Sequence, residues 1–173
     1  TRLGWAPGAA EIYTSDEAMK MFDLSGIGRA PARLDFKKLE NMMHSAPMVK
    51  LTGARASINE GEAVITLPVR QDFFHAAGAL HGSLYFLALD NAAFFAVNSL
   101  VEDVFVLTAS LTTYMTRPVT EGTVKAVGKV VSRGRTQFIA ESVLYDAEGR
   151  EVGRANGIFV KSRIPLSEKI GYR

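Results

Sequence analysis

The sequence predicts an α+β fold: an antiparallel sheet of about six strands wrapped around one long central helix, preceded by an N-terminal helical arm. Two observations carry that expectation. From His75 to Asn98 the chain opens on polar and glycine residues and then turns apolar, and no proline interrupts Ala79 to Val101. Leu84, Tyr85, Phe86, Leu87, Leu89, Phe94, Phe95 and Val97 cover every side of the helical wheel, and a helix apolar all round is buried all round. On both sides of this stretch the pattern changes to β-branched, period-two segments separated by glycine-bearing turns.

Taken in order, residues 1–33 mix Gly, Pro and Ala with short polar runs and form an irregular arm. A short helix is expected within it around Ser15 to Phe22, where Ser15 is a suitable cap. Asp35 is placed to cap a second helix over Phe36 to Met43, ending near Ser45-Ala46-Pro47. Val49 to Ile58 and Glu62 to Val69 read as paired strands around a three-residue loop, Asn59-Glu60-Gly61. Arg70 to Gly78 is a loop into the long helix. Beyond the helix, Val104 to Thr116, Thr123 to Ser132, Gln137 to Tyr145 and Glu151 to Ser162 read as a four-stranded meander. Its turns fall at Glu121-Gly122, Arg133-Gly134-Arg135 and Asp146 to Gly149. The α+β domain is therefore expected over 34–163, with a loose tail over 164–173. One sheet cannot cover a helix that is apolar on all sides, so a second copy of the chain is the expected cover.

Bulk properties narrow the function classes. With 173 residues the chain has room for one domain with a sizeable core. A net charge of +2, with scattered Lys and Arg, argues against a nucleic-acid partner. There is no cysteine, hence no disulfide, thiolate nucleophile or zinc-thiolate site. No basic region followed by a long apolar run opens the N-terminal segment, so a cytoplasmic location is expected. A membrane span is disfavoured because His81, Asp90, Asn91 and Asn98 would all lie inside it, and a central Asp alone costs roughly 3 kcal/mol.

Asp90 is the anomaly in this pattern. An isolated carboxylate in an apolar helix costs several kcal/mol unless it is paired, hydrogen-bonded or protonated. It is either a satisfied buried polar group or a functional carboxylate whose desolvation raises its pKa towards that of a useful general base. Gly82 stands in the first helical turn, where N–H groups lack intrahelical acceptors and the positive end of the helix dipole lies. A glycine there relieves crowding, or lets a carbonyl oxygen approach the N–H as in an oxyanion hole. The spacing of His75, His81 and Asp90 matches no metal motif, so no metal is expected.

These residues resemble a known family. Gly78-Ala79-Leu80-His81-Gly82-Ser83, with Asp90 eight residues after Gly82, is similar to the G-x-x-H-G-G-x(6)-D signature of hotdog-fold acyl-CoA thioesterases, phenylacetate-degradation type. Thr108 to Pro118 is similar to that family's strand running from a Ser or Thr to an Arg-Pro. The resemblance spans roughly Pro47 to Lys161, with two departures: Ser83 replaces the second glycine, and His75 stands where Asn or Gln is common.

The resemblance implies hydrolysis of acyl-CoA thioesters without a cofactor, coenzyme A being part of the substrate. It implies Asp90 as nucleophile or general base, supplied by the opposite subunit to the Gly82 N–H that polarises the carbonyl. His75 then orients the thioester or the attacking water, and Thr108 positions the water. His81, Ser83, Asn91, Arg133 and Arg135 are the candidate substrate contacts, the two arginines for CoA phosphates. Self-association is expected as a homodimer or homotetramer. The alternatives are a non-catalytic acyl-CoA-binding protein and a dehydratase or hydratase of the same fold.

Overall fold

The computed structural model describes residues 35–173. The arm expected over 1–33, with its short helix, lies outside them. Asp35 caps α1 (Phe36–Ser45), its carboxylate accepting from the Lys37 and Lys38 N–H groups. Pro47 then opens α2 (Pro47–Thr52), which ends on Gly53 in the left-handed region at φ 75°. This corrects the expected strand over Val49 to Ile58. Proline suits the first turn of a helix and a left-handed glycine suits its end, and together they outweigh the strand-like Val-Lys-Leu-Thr between them.

The sheet begins at β1 (Arg55–Asn59) and continues with β2 (Glu62–Pro68). Asn59 pairs with Glu62, so the connecting loop is the two residues Glu60 and Gly61, one fewer than expected. A long helix, α3 (Gly82–Asn98), follows. Then come β3 (Val104–Met115), β4 (Thr123–Arg133), β5 (Gln137–Tyr145) and β6 (Glu151–Pro165). The order across the antiparallel sheet is β1-β2-β4-β5-β6-β3. Only β4 to β6 form the meander; β3 pairs with β6 at the far edge, not with β4. The residues between β3 and β4 include Pro118 and are tied back to the helix entrance by the Leu80 N–H, which donates to the Val119 carbonyl at 2.8 Å. They form a crossover, not a hairpin turn.

Small residues let α3 lie against the sheet. Ala88, Ala92, Ala93 and Ala96 are fully buried. A β-carbon on Gly128 of β4 would run into the backbone of Ala92 and Ala93, so the strand must have glycine there for the helix to sit this close. Ser142 of β5 donates its hydroxyl to the Leu89 carbonyl at 2.8 Å, satisfying a polar group within this dry contact. At the helix end, buried Asn98 donates to the Val101 and Val104 carbonyls and accepts from the Val106 N–H, which fixes where β3 starts.

The helix is not buried all round. Phe86 is 43% exposed, Ser83 is exposed, and Leu87, Asp90 and Asn91 are partly exposed. These positions recur every three or four residues and form one stripe. The sheet covers the rest of the wheel and leaves this stripe open.

The two edges of the sheet differ. On the β1 edge, the Ala56 N–H donates to His44 Nε2 at 3.1 Å and the Ile58 N–H donates to Glu40 Oε1 at 3.1 Å, both acceptors lying on α1. On the β3 edge, Leu107, Tyr114 and Met115 are exposed large apolar side chains. The tail expected to be loose is ordered: β6 extends to Pro165, and Leu166, Ile170 and Tyr172 pack against the core.

The Gly128 contact predicts that Gly128→Ala destabilises the fold. The obstructing atoms are helix backbone, so relief needs the helix to shift, and overpacking of this kind costs about 1–3 kcal/mol. Urea unfolding followed by circular dichroism should show a lower midpoint with an unchanged slope.

Candidate active site

The open stripe of α3 carries Asp90. On the facing strand, Thr108 donates its Oγ1 hydroxyl to Asp90 Oδ1 at 2.9 Å. A register shift between Thr108 and Ser110 marks a bulge at Ala109. The side chains turned away from solvent are Val106 and Thr108 before the bulge and Leu111 and Thr113 after it. The extra residue thus changes which parity faces the helix. Burial raises the pKa of Asp90 above the ordinary carboxylate value, and the hydrogen bond from Thr108 opposes that rise in part.

Asp90 opens onto a cavity of about 690 Å³. Asn91, Phe94, Phe95, Phe105 and Thr108 line it, together with Met42 and Met43 of α1. The carboxylate and the Thr108 hydroxyl are therefore polar groups at the edge of a largely apolar, aromatic chamber. That is the usual character of a small-molecule site.

Gly82 lies elsewhere in the chain's own geometry. It opens α3 behind His81, whose Nδ1 accepts the Ser83 N–H at 3.1 Å and lies 2.8 Å from Ser83 Oγ. His81 thus caps the helix, and the polar atoms of His81 and Ser83 face each other. The Gly82 N–H has no intrahelical acceptor, and no hydrogen bond from it to another described residue is found. It lines a smaller cavity of about 270 Å³ with His75, Tyr85, Met115 and Arg117. A β-carbon at Gly82 would lie 2.9 Å from Met115 Sδ. His75 is exposed, and its Nδ1 accepts the Ala77 N–H at 3.1 Å.

Of the residues singled out in the sequence, the structure brings Asp90, Asn91 and Thr108 together at one cavity and His75 and Gly82 together at another. Eight residues of helix separate the two centres by about 12 Å along its axis. Arg133 and Arg135 line neither cavity. Arg133 donates to the Leu100 carbonyl at 3.4 Å, near the opposite end of α3 from Gly82. Sequence reasoning missed Arg117 as a neighbour of His75 and Gly82, although its Arg-Pro pair was visible. It also missed the wall that α1 and the C-terminal residues give the larger cavity, for which no local motif exists. Among the described residues no helix is long and apolar enough to cross a membrane.

Comparison with known proteins agrees with this architecture. Residues 77–153 match the model of the thioesterase superfamily. The chain has the hotdog fold of that superfamily. The PaaI protein of E. coli, from the phenylacetic acid degradation operon, superposes with a TM-score of 0.70 at 22% identity, over 78% of this chain and 99% of PaaI. AziG of S. sahachiroi superposes with a TM-score of 0.64 at 28% identity, over 69% of this chain and 98% of AziG. A different likeness is to glutamate–tRNA ligase 2 of Cereibacter sphaeroides, 49% identical over 89 residues, which is 50% of this chain and 18% of the ligase. The chain spans less than a fifth of the length of the curated relatives it matches.

The buried carboxylate predicts a pH-dependent gain in stability from Asp90→Asn. Burial raises the folded-state pKa, so at intermediate pH the folded protein holds a proton that the unfolded chain has released. The destabilisation by Asp90 is fully present above the raised pKa and fades as pH falls towards the unfolded value of about 3.9. Asp90→Asn should therefore melt higher than the parent at neutral pH, and the two melting curves should converge in mild acid.

Proposed function

We propose that the chain hydrolyses acyl-CoA thioesters to the free acid and coenzyme A. The observation that carries the reading is Asp90: a carboxylate of raised pKa, held by Thr108, on the open stripe of the hotdog helix at the edge of an apolar cavity. The match of residues 77–153 to the thioesterase superfamily model supports thioester hydrolysis as the chemistry. The acyl-CoA substrate and the residue roles are our own reading.

In this reading Asp90 removes a proton from water as it adds to the thioester carbonyl, or adds directly to form an anhydride that water then opens. Thr108 keeps the carboxylate aimed. The negative charge that develops on the carbonyl oxygen is met by the Gly82 N–H at the positive end of the α3 dipole. The tetrahedral intermediate then expels the thiolate of coenzyme A. His75 orients the carbonyl or the water. Asn91 contacts the acyl part, His81 and Ser83 shape the helix entrance, and Arg133 and Arg135 meet the phosphates.

One chain holds the acid and the N–H about 12 Å apart along the helix, so one site needs two chains. The exposed apolar side chains of the β3 edge and the open stripe of α3 support a homodimer in which each site takes Asp90 from one protomer and Gly82 from its partner; dimers pairing further would give a homotetramer. Coenzyme A thioesters and the absence of cysteine fit a cytoplasmic setting. The ligase activity of the curated relatives is not carried over, since the chain matches 18% of the ligase or less.

Asp90→Asn should lower kcat by at least about a hundredfold, as loss of a general base does, with KM little changed. Normal turnover by the folded variant would remove Asp90 from the mechanism. Mixing Asp90→Asn chains with Gly82→Val chains should restore part of the activity, because one mixed dimer contains one intact site; a monomeric active species in sedimentation would contradict the shared site. His75→Ala should lose about tenfold in kcat/KM, the worth of one oriented hydrogen bond. His75→Asn should retain most of it, which a kcat/KM comparison of the three proteins reads directly.

A further inference from the structure

Part of the wall of the Asp90 cavity comes from the C-terminal segment, which the mechanism does not use. After β6 the chain passes through a 3₁₀ turn, Glu168–Ile170, and Glu168, Lys169, Ile170, Gly171 and Arg173 all line the cavity. Glu168, Lys169 and Arg173 are exposed, so Ile170 is the partly buried apolar side chain that the segment turns to the cavity.

The segment is fastened at both ends. The Leu166 N–H donates to the Asp103 carbonyl at 3.1 Å. Asn41 Nδ2 donates to the Arg173 carbonyl at 2.6 Å, and Lys38 Nζ lies 5.7 Å from the centre of the Tyr172 ring. Between these ties Gly171 has φ 88°, and a β-carbon on it would run into Ser45 Oγ and lie 3.3 Å from Met42 Cα. The segment therefore sits against α1 at a distance that only glycine permits.

We infer that the segment from Leu166 to Arg173 is the specificity wall of the Asp90 cavity, with Ile170 bounding the length of the apolar acyl group the site accepts; this rests on the thioesterase reading above. The remaining apolar walls belong to elements locked by the fold. Phe94 and Phe95 are buried on α3, and Met42 and Met43 are buried on α1. The segment is a wall that lies outside the sheet and is held by a few ties. A chamber of about 690 Å³ has room for an extended or aromatic acyl group, and its aromatic and thioether lining favours an apolar one. Each methylene that finds room adds about fourfold to binding, and the first that meets a fixed wall reverses the trend.

The test is the acyl-length profile of the full chain. Parent, Ile170→Trp, Ile170→Ala and Gly171→Ala are compared on straight-chain acyl-CoA thioesters from short to long. Ile170→Trp should lower the ratio of kcat/KM for long over short chains by about tenfold, the scale on which pockets discriminate methylenes. Ile170→Ala should raise the same ratio, and Gly171→Ala, which lifts the segment off α1, should also change it. Identical profiles in all four active proteins would overturn the inference. If the parent hydrolyses no thioester, the enzymatic reading fails by itself. The wall is then read from calorimetric titration with thioether analogues of the same chain series. A shift in the length dependence of Kd supports the wall, and equal dependence in all four proteins overturns it. If Ile170→Trp does not fold, judged by its melting curve, the opposite shift in Ile170→Ala decides.

Discussion

The close seating of α3 on β4 is the contact on which the rest depends. Four fully buried alanines on the helix and Gly128 on the strand bring two backbones together without intervening side chains. Dense packing at that line fixes the roll of the helix about its axis. The roll in turn decides which residues face the sheet and which face out. Asp90 is on the outward stripe for that reason, not because the chain tolerates a charge in its core. The carboxylate borders the cavity and is buried enough to hold its pKa up.

A second determinant is the bulge at Ala109. A regular strand β3 would present Thr108, Ser110 and Thr112 to the helix. The inserted residue hands the inner face from Thr108 to Leu111. The strand can thus place one hydroxyl against Asp90 and still offer an apolar side chain further along, where the helix demands packing. Bulges commonly re-aim side chains beside functional sites, and here the re-aimed contact is with the single carboxylate of the helix.

Much of this was legible in the residues. The α+β class, the long helix and the strands from Glu62 onward follow from periodicity and turn residues, and Asp90 stood out because a charge in an apolar helix needs a reason. Thr108 was reached only through the family resemblance, since a threonine in a β-branched strand carries no local signal. Three features were not legible. The helix Pro47–Thr52 is too short to show a period, and its strand-like residues conceal it. The pairing of β3 with β6 is a long-range choice made by the crossover and by Asn98, not by any turn motif. The wall formed by residues 166–173 depends on one glycine fitting against Ser45, a contact that exists only after the chain has folded back.

The unequal edges of the sheet bear on how copies of this chain can add to one another. His44 and Glu40 already occupy two N–H groups of β1, so that edge has fewer open positions for a new strand. Among the described residues, no hydrogen bond from α1 reaches β3, the strand at the other edge. A sheet with one sealed side and one open side has a valence of one. When two such sheets join open side to open side, the product offers only sealed sides, and growth stops at a pair. Two open sides would instead permit indefinite end-to-end addition, the route to fibres. The His44 and Glu40 acceptors on α1, on the same helix as the cavity residues Met42, Met43 and Ser45, would thus limit strand addition at the β1 edge.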